Sequence, residues 1–377
     1  MTRLLAVVGT RPEAIKMAPV VEEARRRGCT VEVCTTAQHR GMLDQVLRIF
    51  GIAPDHDLDL MRTNQSLADL TARALSALDA VLAASRPDWL LVQGDTTTSL
   101  VAALAAFYHH VPVAHVEAGL RTHDLQHPFP EELNRIVADR VSRAHFVPTP
   151  VAAENLRREG LADDTIHVTG NTVVDALCAI ADRGGELPSS LAALTAGQGE
   201  RLIVVTAHRR ESFGEGMRAI ARAILRLVRE HPEVRVVYPV HPNPNVREVM
   251  HQMLDGVARV HLVPPLDYAD FVGLMRRAHL ILSDSGGVQE EAPALGVPAL
   301  VLRTTTERPE AIAMGSVQLV GVDEEAIVRS AGRLLRDPAA HARMARAVNP
   351  YGDGRASERI VCILRGEAWE PFAARGP

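Results

Sequence analysis

Three carboxylates in this chain stand where acid–base chemistry is easily built. Asp95 follows the apolar run Trp89–Gln93 in Gly94-Asp95-Thr96-Thr97-Thr98, and Glu117 lies in His115-Val116-Glu117-Ala118-Gly119-Leu120-Arg121-Thr122. Both follow strand-like segments, so both can point into one cleft. Glu131 lies in Pro128-Phe129-Pro130-Glu131-Glu132-Leu133-Asn134-Arg135, where the prolines mark a helix start. Carboxylates in a partly dry site are pushed to different pKa values, which gives one base and one acid. Glu131 has a plainer alternative as a first-turn complement to the helix dipole, or as an i,i+4 partner of Arg135. His208, in Ala207-His208-Arg209-Arg210, is placed to meet an anion as donor or acid; its alternative is a local backbone cap. His39, His115 and His241 are further histidines able to line a cleft. No H-E-x-x-H or comparable spacing occurs, and no catalytic metal is expected.

The complementary chemistry is anion holding. Ser283-Asp284-Ser285-Gly286-Gly287-Val288-Gln289-Glu290-Glu291-Ala292-Pro293 follows the apolar run Ala278–Leu282. A strand, a Ser-Gly-Gly turn and a helix would present free N–H groups and a positive helix end. The two glycines are expected to let the backbone approach closely and adopt φ > 0, and Glu290 and Glu291 are expected in the first helical turn, one of them within reach of a sugar hydroxyl. A tight connection with no ligand is the plain alternative. Arg11 and Lys16 flank the first helix start in Gly9-Thr10-Arg11-Pro12-Glu13-Ala14-Ile15-Lys16, and Arg308 adds a cation in Thr305-Thr306-Glu307-Arg308-Pro309. Of the 41 Lys and Arg residues only Lys16 is a lysine, so position 16 is read as needing a compact ammonium rather than a planar fork. The patterns G-x-x-x-x-G-K-[ST] and G-x-G-x-x-G are missing after any strand, which argues against ATP hydrolysis and dinucleotide binding, and no cofactor is expected.

The elements that must carry these residues alternate. Strands are predicted at Leu4–Val8, Val31–Thr35, Trp89–Gln93, Val111–His115 and Ala144–Val147, with helical spacing through Ile15, Ala18, Val21 and Ala24 and again over Leu67–Ala84. The rhythm breaks over Asp182–Glu200, and a linker is expected near Asn171–Glu200. It restarts with Leu202–Thr206, Val234–Val240, Val260–Val263, His279–Ser283 and Pro298–Leu302, with a helix over Gly216–Glu230. Buried strands separated by helices imply α/β architecture, with parallel sheets covered on both faces. Two doubly wound domains follow: residues 1–170, joined by a returning C-terminal helix within 355–377, and residues 171–354. Ligands of such sheets lie beyond the carboxyl ends of the strands, and the polar clusters above all follow strands.

Bulk properties agree. At 377 residues the chain exceeds one typical core, and 47% hydrophobic with 23% charged residues describes a folded globular protein. A net charge of −5 offers no footprint for nucleic acid or an anionic membrane. Leu4–Val8 is too short to span a bilayer, and Cys29, Cys34, Cys178 and Cys362 lack disulfide or metal spacing, as expected of a reduced cytoplasm.

With these motifs on the page, the chain resembles the UDP-N-acetylglucosamine 2-epimerase family of the non-hydrolysing bacterial type. The resemblance rests on Gly9–Lys16, Gln93–Thr98, His115–Thr122 and Asp284–Gly296, and also on Val168-Thr169-Gly170-Asn171-Thr172 and Asn349-Pro350-Tyr351-Gly352-Asp353-Gly354. It implies two Rossmann-like domains of the glycosyltransferase-B type. It implies an isomerase that interconverts UDP-N-acetylglucosamine and UDP-N-acetylmannosamine at C2, by elimination of UDP to a 2-acetamidoglucal and re-addition, without NAD. Asp95, Glu117 and Glu131 would be the acid–base residues, with His208 acting at the diphosphate. Arg11, Lys16, Ser285, Gly286, Gly287 and Arg308 would hold phosphates. Glu291 would take the ribose, and Phe271 with the backbone near Leu266 the uracil. A cytoplasmic homodimer feeding cell-surface polysaccharide synthesis is implied too. Gln38, Arg210 and His241 match a region where bacterial members bind a second substrate molecule, but Gly41 and Asn64 depart from it, so hyperbolic kinetics are expected. The rivals are a hydrolysing epimerase releasing UDP and free N-acetylmannosamine, a glycosyltransferase of the same fold, and a catalytically silent nucleotide-sugar sensor.

Overall fold

A computed structural model describes residues 1–36, 40–62, 65–183, 187–195, 197, 199–306 and 308–374, with only the backbone of Arg40 and Met42. The chain divides into two compact units, Met1–Ala179 with Tyr351–Ala373, and Ile180–Pro350.

The first unit is built on seven parallel strands: β1 (Arg3–Val8), β2 (Thr30–Thr35), β3 (His56–Asp57), β4 (Trp89–Gln93), β5 (Val113–Val116), β6 (Ala144–Val147) and β7 (Ile166–Val168). Their order is β3-β2-β1-β4-β5-β6-β7, which reverses between β1 and β4. Leu5, Val7, Leu90 and Val92 bury against Leu78, Leu82, Ala102 and Ala106 from the helices Leu67–Ser85 and Thr97–Tyr108. Strands sealed on both faces read as continuous apolar runs, which is why their sequence signal was strong. Gln93 pairs in register with Val116, so the chain leaves β4 at Gly94-Asp95 beside the point where it leaves β5 at Glu117.

The second unit repeats the plan with β8 (Arg201–Thr206), β9 (Val234–Pro239), β10 (Val260–Val263), β11 (Leu280–Ser283), β12 (Ala299–Val301) and β13 (Val317–Leu319), ordered β10-β9-β8-β11-β12-β13. Ile203, Val205, Val236, Leu280 and Leu282 pack with Ile220, Ile224 and Leu227 of the helix Glu215–Glu230. The carboxyl ends of β8 and β11 adjoin at this unit's own order reversal, where a doubly wound sheet offers its binding crevice.

Two expectations are corrected. The segment Asn171–Glu200 is not an irregular linker, because it carries the helices Thr172–Asp182 and Ser189–Thr195. The short edge strands β3, β7 and β13 were not anticipated; two or three residues are too few for periodicity to show. The C-terminal helix Ala356–Leu364 returns to the first unit and packs on the helix Arg11–Arg26. Asp175 fastens it by accepting the backbone N–H groups of Ala356 at 3.2 Å and Ser357 at 2.6 Å, as an N-capping carboxylate does. Burial outweighs those bonds and pushes the Asp175 pKa up to about 6.

Candidate active site

In the first unit the site begins with Gly9, directly after β1. A Cβ there would collide with the Thr36 and Thr98 hydroxyls, so only glycine fits. Thr10 caps the helix Arg11–Arg26 in a reciprocal capping box with Glu13. Glu13 is buried, and its carboxylate reaches beyond the cap. It accepts from Gly9 N at 3.0 Å and Thr10 N at 2.6 Å, and from the Thr96 and Ser99 hydroxyls at 2.6 and 3.1 Å. One side chain therefore ties the turn after β1 to the turn after β4. Burial pushes its pKa up despite these bonds. Arg11, at the first helical position, is half-buried, and its guanidinium makes no hydrogen bond or ion pair among the described residues.

Glu117 is held by three side chains. Lys16 Nζ lies 2.6 Å from both of its oxygens, Asn171 Nδ2 donates to Oε1 at 3.0 Å, and Gln93 Nε2 donates to Oε2. The single lysine of the chain thus places its ammonium on both oxygens of Glu117. Glu117 itself adopts φ = 63°, a left-handed conformation costly for a side chain with a Cβ and characteristic of functional sites. Two residues on, Gly119 has φ = 81°, and any Cβ there would strike the Ala152 carbonyl.

Asp95, one-third exposed, bonds Arg135 Nη2 at 2.5 Å through Oδ2, while Asn134 Nδ2 donates to its backbone carbonyl at 2.9 Å. Arg135 also meets Glu132, not Glu131, at 3.3 Å. Glu131 opens the helix Glu131–Val141, and its half-buried carboxylate makes no hydrogen bond or ion pair among the described residues. Asp95, Glu117 and Lys16 therefore come together after β4 and β5, with Glu131 on the helix that supplies Asn134 and Arg135. Sequence reasoning missed Gln93, Asn171 and Glu13; the Thr-x-x-Glu spacing of Thr10 and Glu13 was the available signal for the last.

In the second unit, Ser285 precedes the helix Gly286–Ala294. Two details differ from expectation. Gly286 and Gly287 are the first two helical residues without positive φ, because the helix starts two residues earlier than a turn through both glycines requires. Glu290 and Glu291 consequently fall in the second helical turn. Arg308 Nε bonds Glu290 at 2.5 Å, with its guanidinium across Gly286; a Cβ on Gly286 would lie 2.7 Å from Arg308 Nη1. Gln289 accepts from Thr306 Oγ1 at 2.6 Å, and Thr306 Oγ1 accepts from Arg308 N at 3.1 Å, so the Arg308 loop is pinned to the helix start. Glu291, buried, accepts from the Tyr268 hydroxyl at 3.1 Å; Phe271 lies half-buried on the same helix, Tyr268–Met275, with Leu266 just before it.

His208 follows β8. Asp284, fully buried after β11, accepts from the backbone N–H groups of His208 at 2.7 Å and Arg209 at 2.8 Å, and its other oxygen lies 3.5 Å from His208 Nδ1. Burial lowers the His208 pKa against the opposing charge of Asp284, helped by the neighbouring His241 and Arg209, so the ring is mostly neutral at pH 7. His241 stacks on it with centroids 5.2 Å apart. Arg210 is exposed on a short helical turn nearby in sequence, whereas Gln38, His39, Asn64 and Glu307 lie outside the described residues.

The family model for UDP-N-acetylglucosamine 2-epimerase matches residues 22–365. The chain belongs to this family of enzymes. A Yersinia pestis protein named UDP-N-acetylglucosamine 2-epimerase is 52% identical over 369 residues, covering 96% of this chain and 98% of that protein. A Neisseria meningitidis UDP-GlcNAc 2-epimerase, solved with UDP-GlcNAc bound, is 47% identical with a TM-score of 0.88, covering 97% of this chain and all of that one. At 12% identity, Acinetobacter baumannii MurG shares the fold alone, with a TM-score of 0.59 over 97% of this chain and 99% of that one. These likenesses confirm the α/β, glycosyltransferase-B architecture and the epimerase family read from the motifs. Among the described residues no helix is long and apolar enough to cross a membrane.

Proposed function

We propose that the chain interconverts UDP-N-acetylglucosamine and UDP-N-acetylmannosamine by elimination and re-addition of UDP. A carboxylate removes the C2 proton, the C2–H electron pair becomes the C1–C2 double bond, and the C1–O pair departs on the UDP diphosphate. A second carboxyl group returns a proton to the other face of C2, and the diphosphate oxygen re-forms the bond at C1. The observation that carries this reading is the setting of Glu117, gripped by Lys16, Gln93 and Asn171 beside Asp95. Asp95, Glu117 and Glu131 form the acid–base set. Preorganised donors of this kind act where charge develops and do not need to reorganise during the reaction.

The leaving diphosphate is held by Arg11, Lys16, the N–H groups after Ser285, Gly286 and Gly287, and Arg308. A helix N-terminus and a guanidinium suit a dianionic leaving group. His208, neutral at pH 7, meets the diphosphate as a hydrogen-bonding imidazole and becomes a proton donor only when the anion's charge raises its affinity for a proton. Glu291, positioned by Tyr268, takes the ribose hydroxyls, and Phe271 with the chain at Leu266 lies against the uracil. The substrate class is supported by the Neisseria relative, solved with UDP-GlcNAc. A cytoplasmic homodimer completes the reading, in keeping with four unbridged cysteines; light scattering on the pure protein tests the stoichiometry. Gly41 at the regulatory region supports hyperbolic substrate dependence despite Arg210 and His241, and a Hill coefficient clearly above one would refute it.

Incubation with UDP-N-acetylglucosamine in D₂O, followed by NMR, tests the whole. Deuterium at C2 of nucleotide-linked N-acetylmannosamine is the expected result. Free N-acetylmannosamine would assign a hydrolase instead, turnover only with an added acceptor a transferase, and no reaction at all a sensor.

A further inference from the structure

Behind Asp95 and Glu117 lies a buried charge cluster that the proposed chemistry does not use directly. His115, on β5, is fully buried, with Nδ1 2.6 Å from Asp139 Oδ1 and Nε2 2.7 Å from the Gly94 carbonyl oxygen. A carbonyl oxygen can only accept. Asp139 accepts as well, because its second oxygen takes the Arg121 guanidinium at 2.7 Å and the Gly119 N–H at 3.3 Å. A neutral imidazole has one N–H, so one of its nitrogens would set a lone pair against an acceptor oxygen without water to relieve it.

We infer that His115 is held doubly protonated throughout the working pH range, as a positioning residue that fixes Asp95 and Glu117 relative to each other. This rests on the reading of those two carboxylates as acid–base residues. The geometry makes His115 a bridge between their backbones. Its Nε2–H holds Gly94, the residue before Asp95, and its Nδ1–H holds Asp139, which in turn anchors Gly119 two residues beyond Glu117. Glu117 and Gly119 both have positive φ, so this stretch needs an external clamp to keep its shape.

Asp139 comes from the helix Glu131–Val141, Arg121 and Glu159 from the flanking loops, and the buried His145 on β6 meets the Asp139 backbone carbonyl at 2.8 Å and the Thr165 carbonyl at 3.1 Å. The cations His115 and Arg121 thus face the anions Asp139 and Glu159. Burial alone would lower the His115 pKa, but the Asp139 charge and hydrogen bond and the Gly94 carbonyl reverse the shift, which is upward overall. Asp139 is held at about 2: burial works against ionisation there, and the His115 and Arg121 charges overcome it.

The test uses the full-length enzyme with isotope-labelled histidine rings. From about pH 6 to about pH 9, the ring whose signals are absent from His115→Asn is expected to keep both nitrogens protonated without titrating. In the same preparations, His115→Asn and His115→Gln are expected to lower kcat by about 10-fold or more, with UDP affinity by calorimetry changed less than about 3-fold. A wild-type ring that is singly protonated above about pH 7 in an enzyme that epimerises normally would overturn the inference and leave the function standing. So would folded variants with wild-type kcat. If both variants fail to fold, a wild-type spectrum in which every histidine ring is singly protonated above about pH 7 overturns the inference, and a doubly protonated, non-titrating ring supports it. A wild type that does not epimerise UDP-N-acetylglucosamine at all overturns the functional reading itself.

Discussion

His115 in the first unit and His208 in the second stand at comparable places in similar sheets, at or just past a strand end and beside a buried aspartate, yet they carry opposite charge states. His115 is sealed from solvent with Asp139 at 2.6 Å and a carbonyl on its other nitrogen, and is raised toward imidazolium. His208 is one-third exposed, its aspartate is 3.5 Å away and already occupied by two backbone N–H groups, and it is lowered toward neutral imidazole. Burial pushes both rings toward neutrality; what differs is that Asp139 bonds its ring at 2.6 Å, whereas the facing oxygen of Asp284 stays 3.5 Å from His208. The contrast extends to the candidate site residues of each unit. The first set is made of side-chain charges locked in pairs across distant segments, so small displacements should disable chemistry. The second is made mostly of backbone N–H groups, a helix start and one guanidinium, so its losses should appear in binding.

The strongest way to break that contrast is Glu117→Gln. It keeps the shape and one acceptor while removing the charge that Lys16 faces. A loss in kcat of about 10² to 10⁴ is expected, the usual worth of a general acid or base, with UDP affinity nearly unchanged. If steady-state kinetics show a raised KM with intact kcat, Glu117 is a binding group and the division of labour fails.

Next in size is Gly119→Ala. The methyl group must occupy φ = 81° and displace the Ala152 carbonyl, which is backbone and cannot yield cheaply. A destabilisation of about 2–4 kcal/mol is expected, from the left-handed conformation plus overpacking. Urea unfolding followed by circular dichroism checks it. Wild-type stability would mean that the turn carrying Glu117 is compliant, contrary to the picture of a rigid acid–base cluster in the first unit.

Gly286→Ala sharpens the comparison from the other side. Its backbone is ordinary helix, so alanine adds no strain, and helix propensity favours it by up to about 1 kcal/mol. The new methyl would meet the far end of the long Arg308 side chain, at 2.7 Å from Nη1. The fold should therefore be unharmed while Arg308 swings away, raising KM about 10-fold, or roughly 1.4 kcal/mol, with kcat changed less. A drop in melting temperature without any change in KM would show that the helix start packs rather than binds.

How far the sequence disclosed this arrangement depends on the range of the interaction. Strands β4, β6 and β10 lie where their apolar runs placed them, and the polar clusters follow strands as the doubly wound plan requires. The motif-level resemblance was specific enough to name the family. The partner of Lys16 was another matter: 101 residues separate it from Glu117, and only the order β1-β4-β5 brings them together. Likewise, nothing local distinguishes Asp139 from any helical aspartate until the sheet delivers His115 to it. The Gly286-Gly287 turn misled because glycine pairs before helices usually signal positive φ, whereas both lie in the helix and Gly286 allows the close approach of Arg308.

The smallest expected effect concerns how each unit answers to acid. In the second unit, His279 stacks on His341 with centroids 4.0 Å apart, and burial, aided by the charges of His341 and Arg201, lowers its pKa to about 4. A folded-state pKa below the ordinary histidine value means that the unfolded chain binds more protons between about pH 4 and about pH 6.5, so this group's contribution to stability falls as the pH drops through that window. In the first unit Asp175, raised to about 6, acts with the opposite sign: the folded state binds the extra proton between about pH 4 and about pH 6, so its contribution falls as the pH rises. Hydrogen exchange can follow the units separately, using amides of β11 for the second and of the helix Ala356–Leu364 for the first. His279→Gln should leave exchange at the helix unchanged while flattening the acid sensitivity of β11. Equal flattening in both places would mean that the units open together, and that the contrast between their titrating groups has no counterpart in their separate stabilities.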